Sequence, residues 1–557
     1  MLGSSRREFL TSVSAAIAGS LVVLPHDNQP TTTASTDISL EQLQAAAAVV
    51  GAKLTEDELK AILPGVRSQL RNFLELRKLT TKNSMVPATT FRVLAPSPAT
   101  TKIDVRPSPP AKVSLPPSHD DLSFASIPQL AALLRGGHVT SVKLTEHFLD
   151  RLKTYGPKLR CVVTLTPEVA MAAAKEADAV LKTRQRTSLL HGIPYGVKDL
   201  FAVPGYPTTW GAEPYRNQQL KEQAWVVEKL NSAGGVLVAK LSLGALAMGD
   251  VWFAGRTESP WDSKIGSSGS SAGSASATAA GLVPYAIGTE TSGSIVSPSH
   301  NCRVTGMRPT FGSVGRSGAM TLSWTMDKVG PICRSAEECA IVLASLLGQD
   351  PGDPASISRG LEFRPINSLT GLRFGYFTPN SEQLNAPIAD TLPYVNLIRE
   401  LGADLKRMTL PRMHPAMSAI ITAECAAAFD DFTMSDAIDN LKNSAWPASF
   451  RQGRFISALD HIQLDRMRRV LMEGYEEAIR DYDVILVEDR GYPIVYAINL
   501  TGHPQILVPF GTTSSGAPMS FSLIGPAFRE QTLLQVADLV QRKSGVHLKR
   551  PDMSGWR

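Results

Sequence analysis

Between Lys264 and Glu290 the chain carries no charged side chain, although 19% of its residues are charged. The run from Gly266 to Ser294, GSSGSSAGSASATAAGLVPYAIGTETSGS, is made largely of Gly, Ser, Ala and Thr. A flexible linker can share that composition. The apolar, strand-like Leu282-Val283-Pro284-Tyr285-Ala286-Ile287 inside it argues instead for backbone buried at close quarters. Small side chains let two elements approach each other, and glycines admit backbone shapes that other residues resist.

A chain of 557 residues can bury a large core, and 43% apolar content is that of a globular protein. Its net charge of +5 is mild for this length. The densest basic cluster, Arg466-Met467-Arg468-Arg469, falls on a predicted helix and reads as a solvated face, so no nucleic-acid partner is expected. The five cysteines show no Cys-x-x-Cys spacing, there is no His-Glu-x-x-His, and the ten histidines form no ligand set. Neither metal nor cofactor is expected.

The N-terminus reads as an address. Ser5-Arg6-Arg7-Glu8-Phe9-Leu10 precedes the uncharged TSVSAAIAGSLVVL, which matches a twin-arginine export signal and predicts a periplasmic or otherwise extracytoplasmic protein. The apolar run is shorter than the roughly 20 residues of a membrane span. No clean Ala-x-Ala follows Leu24, which keeps a retained N-terminal anchor as a second reading and the sole expected membrane contact. Residues 1–35 are therefore signal and tether. Capping patterns at Ser39-Leu40-Glu41-Gln42 and Thr55-Glu56-Asp57-Glu58 start two helices, a hairpin over 36–85, with Pro64 expected to interrupt or kink the second. Eight prolines from Val86 to Pro117 predict an extended arm over 86–120 without regular structure, lying on the main domain or crossing to a partner; a homodimer is compatible with that.

From Asp121 to the C-terminus, helical periodicity alternates with short apolar strands such as IPYGVKD, GGVLVAKL, LVPYAIG, LRFGYF, DYDVILVED and PQILVPFG. This predicts one α/β domain over 121–557, a large sheet covered by helices. Three of its stretches carry chemistry. Lys198 ends the strand-like Gly192-Ile-Pro-Tyr-Gly-Val-Lys-Asp199, where desolvation would disfavour its charge. Ser270 lies in Gly269-Ser-Ser-Ala-Gly-Ser274. Thr289-Glu-Thr-Ser-Gly-Ser294 is a tight turn after a strand, able to aim consecutive N–H groups at one point.

Together, in this order and with a spacing of 24 residues from one serine to the other, these stretches resemble the amidase signature family of serine hydrolases. SPWD at Ser259, CRVTGMRPTFGSV from Cys302, DKVGPICRS from Asp327 and NLTGHP from Asn499 agree with it, so that the likeness spans about Ser123 to Val546. The resemblance implies the family's α/β fold, a mostly mixed or parallel sheet with helices on both faces. It also implies a Ser-Ser-Lys triad: Ser294 the nucleophile, Ser270 the bridge, Lys198 the base. The backbone of Thr291, Ser292, Gly293 and Ser294 would form the oxyanion hole, acting on a small-molecule amide. A cis peptide bond is implied before Ser270. In that mechanism a carboxylate near Lys198 would hold it protonated, which fits the absence of charge around both serines.

Two departures stand out. Ser292 replaces a family glycine, and Val296 stands where an Arg is usual, so Glu290 needs another partner; Arg303 and Arg308 are both candidates. Rival readings differ in what they require. Gly269-x-Ser-x-Gly273 formally matches the nucleophile elbow of α/β-hydrolases, but the preceding Trp261–Gly266 looks polar and turn-like, and no His is singled out. The A component of a tRNA-dependent amidotransferase shares the triad, against which stand the leader, hairpin and arm. A catalytically inactive binding protein is the third. For the substrate, Trp252, Phe253 and Trp324 are pocket candidates, favouring a bulky apolar or aryl amide with esterase or carbamate side activity. Phe429, Phe432, Trp446, Phe450 and Phe455 read equally well as pocket or core.

Overall fold

The computed structural model describes residues 37–76, 89, 102–110, 114–116, 118–183, 185, 187–378, 388, 392–442, 444–488 and 493–556. The leader pattern and much of the Pro-rich arm lie outside them. Among the described residues no helix is long and apolar enough to cross a membrane.

An eleven-stranded sheet forms the frame. In chain order its strands are β1 (Val162–Leu165), β2 (Pro194–Lys198), β3 (Val236–Leu241), β4 (Ala286–Glu290), β5 (Thr305–Arg308), β6 (Lys328–Cys333), β7 (Arg373–Phe377), β8 (Asp404–Arg407), β9 (Val484–Val487), β10 (Gln505–Thr512) and β11 (Pro518–Ile524). Their spatial order is β8-β7-β9-β11-β10-β5-β6-β4-β2-β3-β1. The sheet is mixed: β4-β2-β3 and β8-β7-β9 run parallel, and the strands between and beyond them pair antiparallel. Every strand-like stretch read from the sequence falls on one of these strands. Both faces are buried, so alternate residues serve different cores: Val484 and Leu486 of β9 enter one cluster, Ile485 and Val487 another.

Helix α1 (Leu40–Val49) and helix α2 (Glu56–Leu76) form the hairpin, and both capping patterns are realised. Pro64 does not break α2. Its missing N–H removes one bond, but Leu59, Ile62, Val66 and Phe73 are buried along one face and hold the helix together across it. The hairpin docks on the main domain: Leu59, Ile62 and Val66 share a core with Ala448 and Phe455, and Gln452 donates to Gln69 at 3.1 Å. The arm is not wholly irregular either. Ile103–Val105, free of proline, pairs in parallel with Leu361–Phe363.

The small-residue stretch becomes helix α5 (Ala272–Ala279) and strand β4, with helix α3 (Ser141–Leu159) and helix α4 (Pro167–Lys182) lying earlier in the chain. Every residue of α5 is buried. Its serines join it to the sheet, since Ser274 Oγ donates to the Ile287 carbonyl at 3.0 Å. The approach needs glycine: a Cβ on Gly273 would sit 2.4 Å from Cys161 O and Ser242 N.

Candidate active site

Lys198 is the last residue of β2 and is fully buried. Its Nζ lies 2.8 Å from Ser270 Oγ and 2.9 Å from Thr289 Oγ1, donating to both. Burial is the main cause of its altered titration and lowers its pKa to about 7, against the opposing pull of Asp327 and Glu290. The site is therefore not free of carboxylates, as the charge-free stretch suggested. Burial outweighs them.

Ser270 leads into α5, and the peptide bond before it is cis. Asp262–Gly266 is a strand rather than a turn, but it pairs with Glu258–Ser259 in a two-stranded ribbon outside the main sheet. The serine of the elbow pattern is Ser271, whose Oγ donates to the Thr289 carbonyl and accepts from the Thr289 N–H instead of meeting a histidine, which removes the basis for the elbow reading. The Ser271 N–H donates to the Ser294 carbonyl at 3.1 Å, so the two serine segments lie side by side.

Thr291 to Ser294 form the turn between β4 and helix α6 (Val296–Asn301). Gly293 has φ +93°, and a Cβ there would lie 3.1 Å from Ser297 Oγ. The N–H groups of Ser292, Gly293 and Ser294 bond to no acceptor among the described residues. Three neighbouring free donors make a natural anion cradle. Gly293→Ala is expected to strain the turn by about 1–3 kcal/mol, seen as a lower melting temperature; an unchanged melt would show that the positive φ is not required.

Glu290 braces the turn from below. Its Oε2 accepts from the N–H groups of Ile295 (2.8 Å) and Val296 (3.0 Å), and its Oε1 from Arg308 (2.7 Å) and Asn499 (2.8 Å). Burial pushes this carboxyl up, but Arg308, Asn499 and the N–H groups together hold it down at about 2. Arg308 on β5 thus partners Glu290, while Arg303 stacks on Trp261 and donates to Gly516 O. Arg308 also donates to Gln505 (2.8 Å) and the His503 carbonyl (2.9 Å).

Sequence reasoning passes over Thr289 and Asp327 as site residues. Asp327, half-buried, accepts from Thr291 Oγ1 at 2.6 Å and from the N–H groups of Leu322 and Ser323. Its place just before a strand of a family-like block is the available signal. A cavity of about 330 Å³ opens beside Thr289 and Thr291 and is walled by Leu200, Met320, Leu322 and Trp324. Trp252 and Phe253 do not line it; Trp252 is buried and donates to Arg160 O at 3.2 Å, with Phe253 against its ring. Phe429, Trp446 and Phe450 form a buried stack, which makes them core. In the basic cluster, Arg468 is not solvated: it is buried and bonds Leu500 O and Thr325.

The family model described as Amidase matches residues 143–492. Among curated proteins, the A component of the glutamyl-tRNA(Gln) amidotransferase of Methylococcus capsulatus is 32% identical, over 76% of this chain and 98% of its own. The equivalent component from Chloroflexus aggregans is 30% identical, over 78% and 99%. Among solved structures, the peptide amidase of Stenotrophomonas maltophilia superposes with a TM-score of 0.67 at 26% identity, covering 77% of this chain and 98% of that one. A bacterial aryl acylamidase of the amidase signature family shares the fold, with a TM-score of 0.69 at 21% identity over 77% and 100%. By sequence and by architecture, the chain belongs to the amidase signature family.

Proposed function

We propose that the protein hydrolyses a carboxamide through an acyl-enzyme on Ser294, with Ser270 and Lys198 moving the proton. The observation that carries this is the fully buried Lys198 Nζ, titrating near 7 and 2.8 Å from Ser270 Oγ. Ser294 Oγ bonds to the substrate carbonyl carbon; its proton passes to Ser270 Oγ, whose own proton goes to neutral Lys198. The oxyanion that forms is met by the free N–H groups of the turn. The carbon–nitrogen bond then breaks, and the nitrogen leaves with the proton returned from Lys198 through Ser270. Water repeats the attack on the ester and frees the acid.

The curated relatives favour a second reading, in which the amide is glutamine and the chain is the A component of an amidotransferase. The export pattern at Arg6-Arg7 and the docked hairpin favour the free amidase, which we propose works outside the cytoplasm. Incubation with glutamine and with a panel of aryl and alkyl amides, reading released ammonia or amine, tests both. Turnover of glutamine alone would overturn the main reading.

The base must be neutral to act, so kcat/KM is expected to rise with pH through about 7 and level off above it. Asp327 raises the lysine's pKa, so Asp327→Asn should move that limb to lower pH. A profile flat from pH 5 to 9 would contradict a neutral-lysine base.

A further inference from the structure

The turn that carries Ser294 is held at both ends, and residues 289–296 supply no cation of their own. At the far end Glu290 holds the N–H groups of Ile295 and Val296, and Asn499, on helix α9 (Ile494–Thr501), donates to Glu290. At the near end Thr291 Oγ1 donates to Asp327. Asp327 in turn closes the 322–327 loop, which carries Trp324, by accepting from the N–H groups of Leu322 and Ser323. The position of Thr291 thus follows that of the loop.

Two buried charges fix the loop from outside. Glu424, on helix α7 (Ser418–Ala428), accepts from Ser323 Oγ, the Thr325 N–H and Thr325 Oγ1 at 2.6, 3.1 and 2.6 Å. Arg468, on helix α8 (Ala458–Ile479), donates to Thr325 Oγ1 at 2.7 Å and to the Thr325 carbonyl at 2.8 Å. Its Nε reaches the Leu500 carbonyl at 2.7 Å, one residue beyond Asn499. One guanidinium therefore spans both braces: the loop that sets Thr291 and the end of α9 that carries Asn499. A rigid planar fork can do this, whereas the point charge of a lysine cannot satisfy the same three acceptors in place. Arg316 holds the loop from another side, donating to the Trp324 carbonyl at 2.8 Å and the Asp327 carbonyl at 3.2 Å. Glu424 and Arg468 lie outside the motif blocks that carry the family likeness.

We propose that Arg468 and Glu424 are positioning residues for the turn. They form a clip that keeps its two ends in register, so that the free N–H groups of Ser292, Gly293 and Ser294 meet the oxyanion as it forms. They act through Thr325, Asp327 and Thr291 on one side and through Leu500 and Asn499 on the other. Donors aimed at an oxyanion count in the transition state more than in the bound substrate, and a displacement of about 1 Å can cost about a hundredfold. Loosening the clip should slow the covalent step and leave initial binding alone. This rests on the hydrolase reading of Ser294.

An alkyl fluorophosphonate tests it, because its phosphonyl oxygen takes the oxyanion's place while Ser294 Oγ bonds to phosphorus and fluoride leaves. Saturation kinetics separate kinact, the covalent step, from KI, the binding step. Thr325→Val removes the hydroxyl shared by Glu424 and Arg468 with little change of shape; kinact should fall about tenfold and KI stay within about twofold. Arg468→Ala should lose about a hundredfold in kinact, and Arg468→Lys should fall between it and the wild type. Thr325→Val added to Thr291→Val should cost no more than Thr291→Val alone, because both cut the path through Asp327. Arg469→Ala, which removes an exposed neighbour paired with Glu473, should change neither constant. Wild-type kinact in Thr325→Val, or losses that multiply in the double variant, would overturn the clip, and both are read even where Arg468→Ala fails to fold. A wild type that takes no label at Ser294 would instead overturn the hydrolase reading, and the clip's role with it.

Discussion

Ser294→Ala is expected to abolish amide hydrolysis, a loss of about 10⁴-fold or more, with the melting temperature unchanged. The hydroxyl makes no hydrogen bond to another described residue, so its removal costs the fold little. Lys198→Met should be as severe, because it removes the base that is hydrogen-bonded to Ser270. The two losses should not add, since both remove the same step. Either variant keeping near-wild-type kcat on an amide that the wild type cleaves would sink the triad.

The second large effect is expected at Arg308. Removing this guanidinium leaves Glu290 buried without its charge partner, and breaking such a pair costs about 3–5 kcal/mol. Arg308→Ala should therefore lower the melting temperature sharply. Because Glu290 also holds the N–H groups of Ile295 and Val296, the turn should loosen and kcat fall about a hundredfold. Arg308→Lys retains the charge but loses the bonds to Gln505 and His503, and should fall between. A folded Arg308→Ala with full kcat would show that the turn holds itself.

Much of this is legible in the chain. The strands and both capping boxes come from local pattern, because strand ends and caps are written in neighbouring residues, whereas the proposed triad comes from the resemblance to the family. What stays hidden depends on distant residues. The choice between Arg308 and Arg303 turns on which of two strand-adjacent side chains points under the turn. Pro64 leaves α2 intact, against the local rule, because burial on a partner overrides it. The burial of Arg468 requires knowing that the Trp324 loop packs on its helix. The effect of Asp327 and Glu290 on Lys198 is likewise invisible in a stretch that lacks charge only along the sequence.

The proposal of a covalent Ser294 route is tested most directly by trapping the acyl-enzyme's analogue. A fluorophosphonate should label the protein at a single site, mapped by peptide mass spectrometry to Ser294. Labelling should slow as pH falls below about 7 and be lost in Lys198→Met. A label on another residue, or undiminished labelling without Lys198, would contradict it.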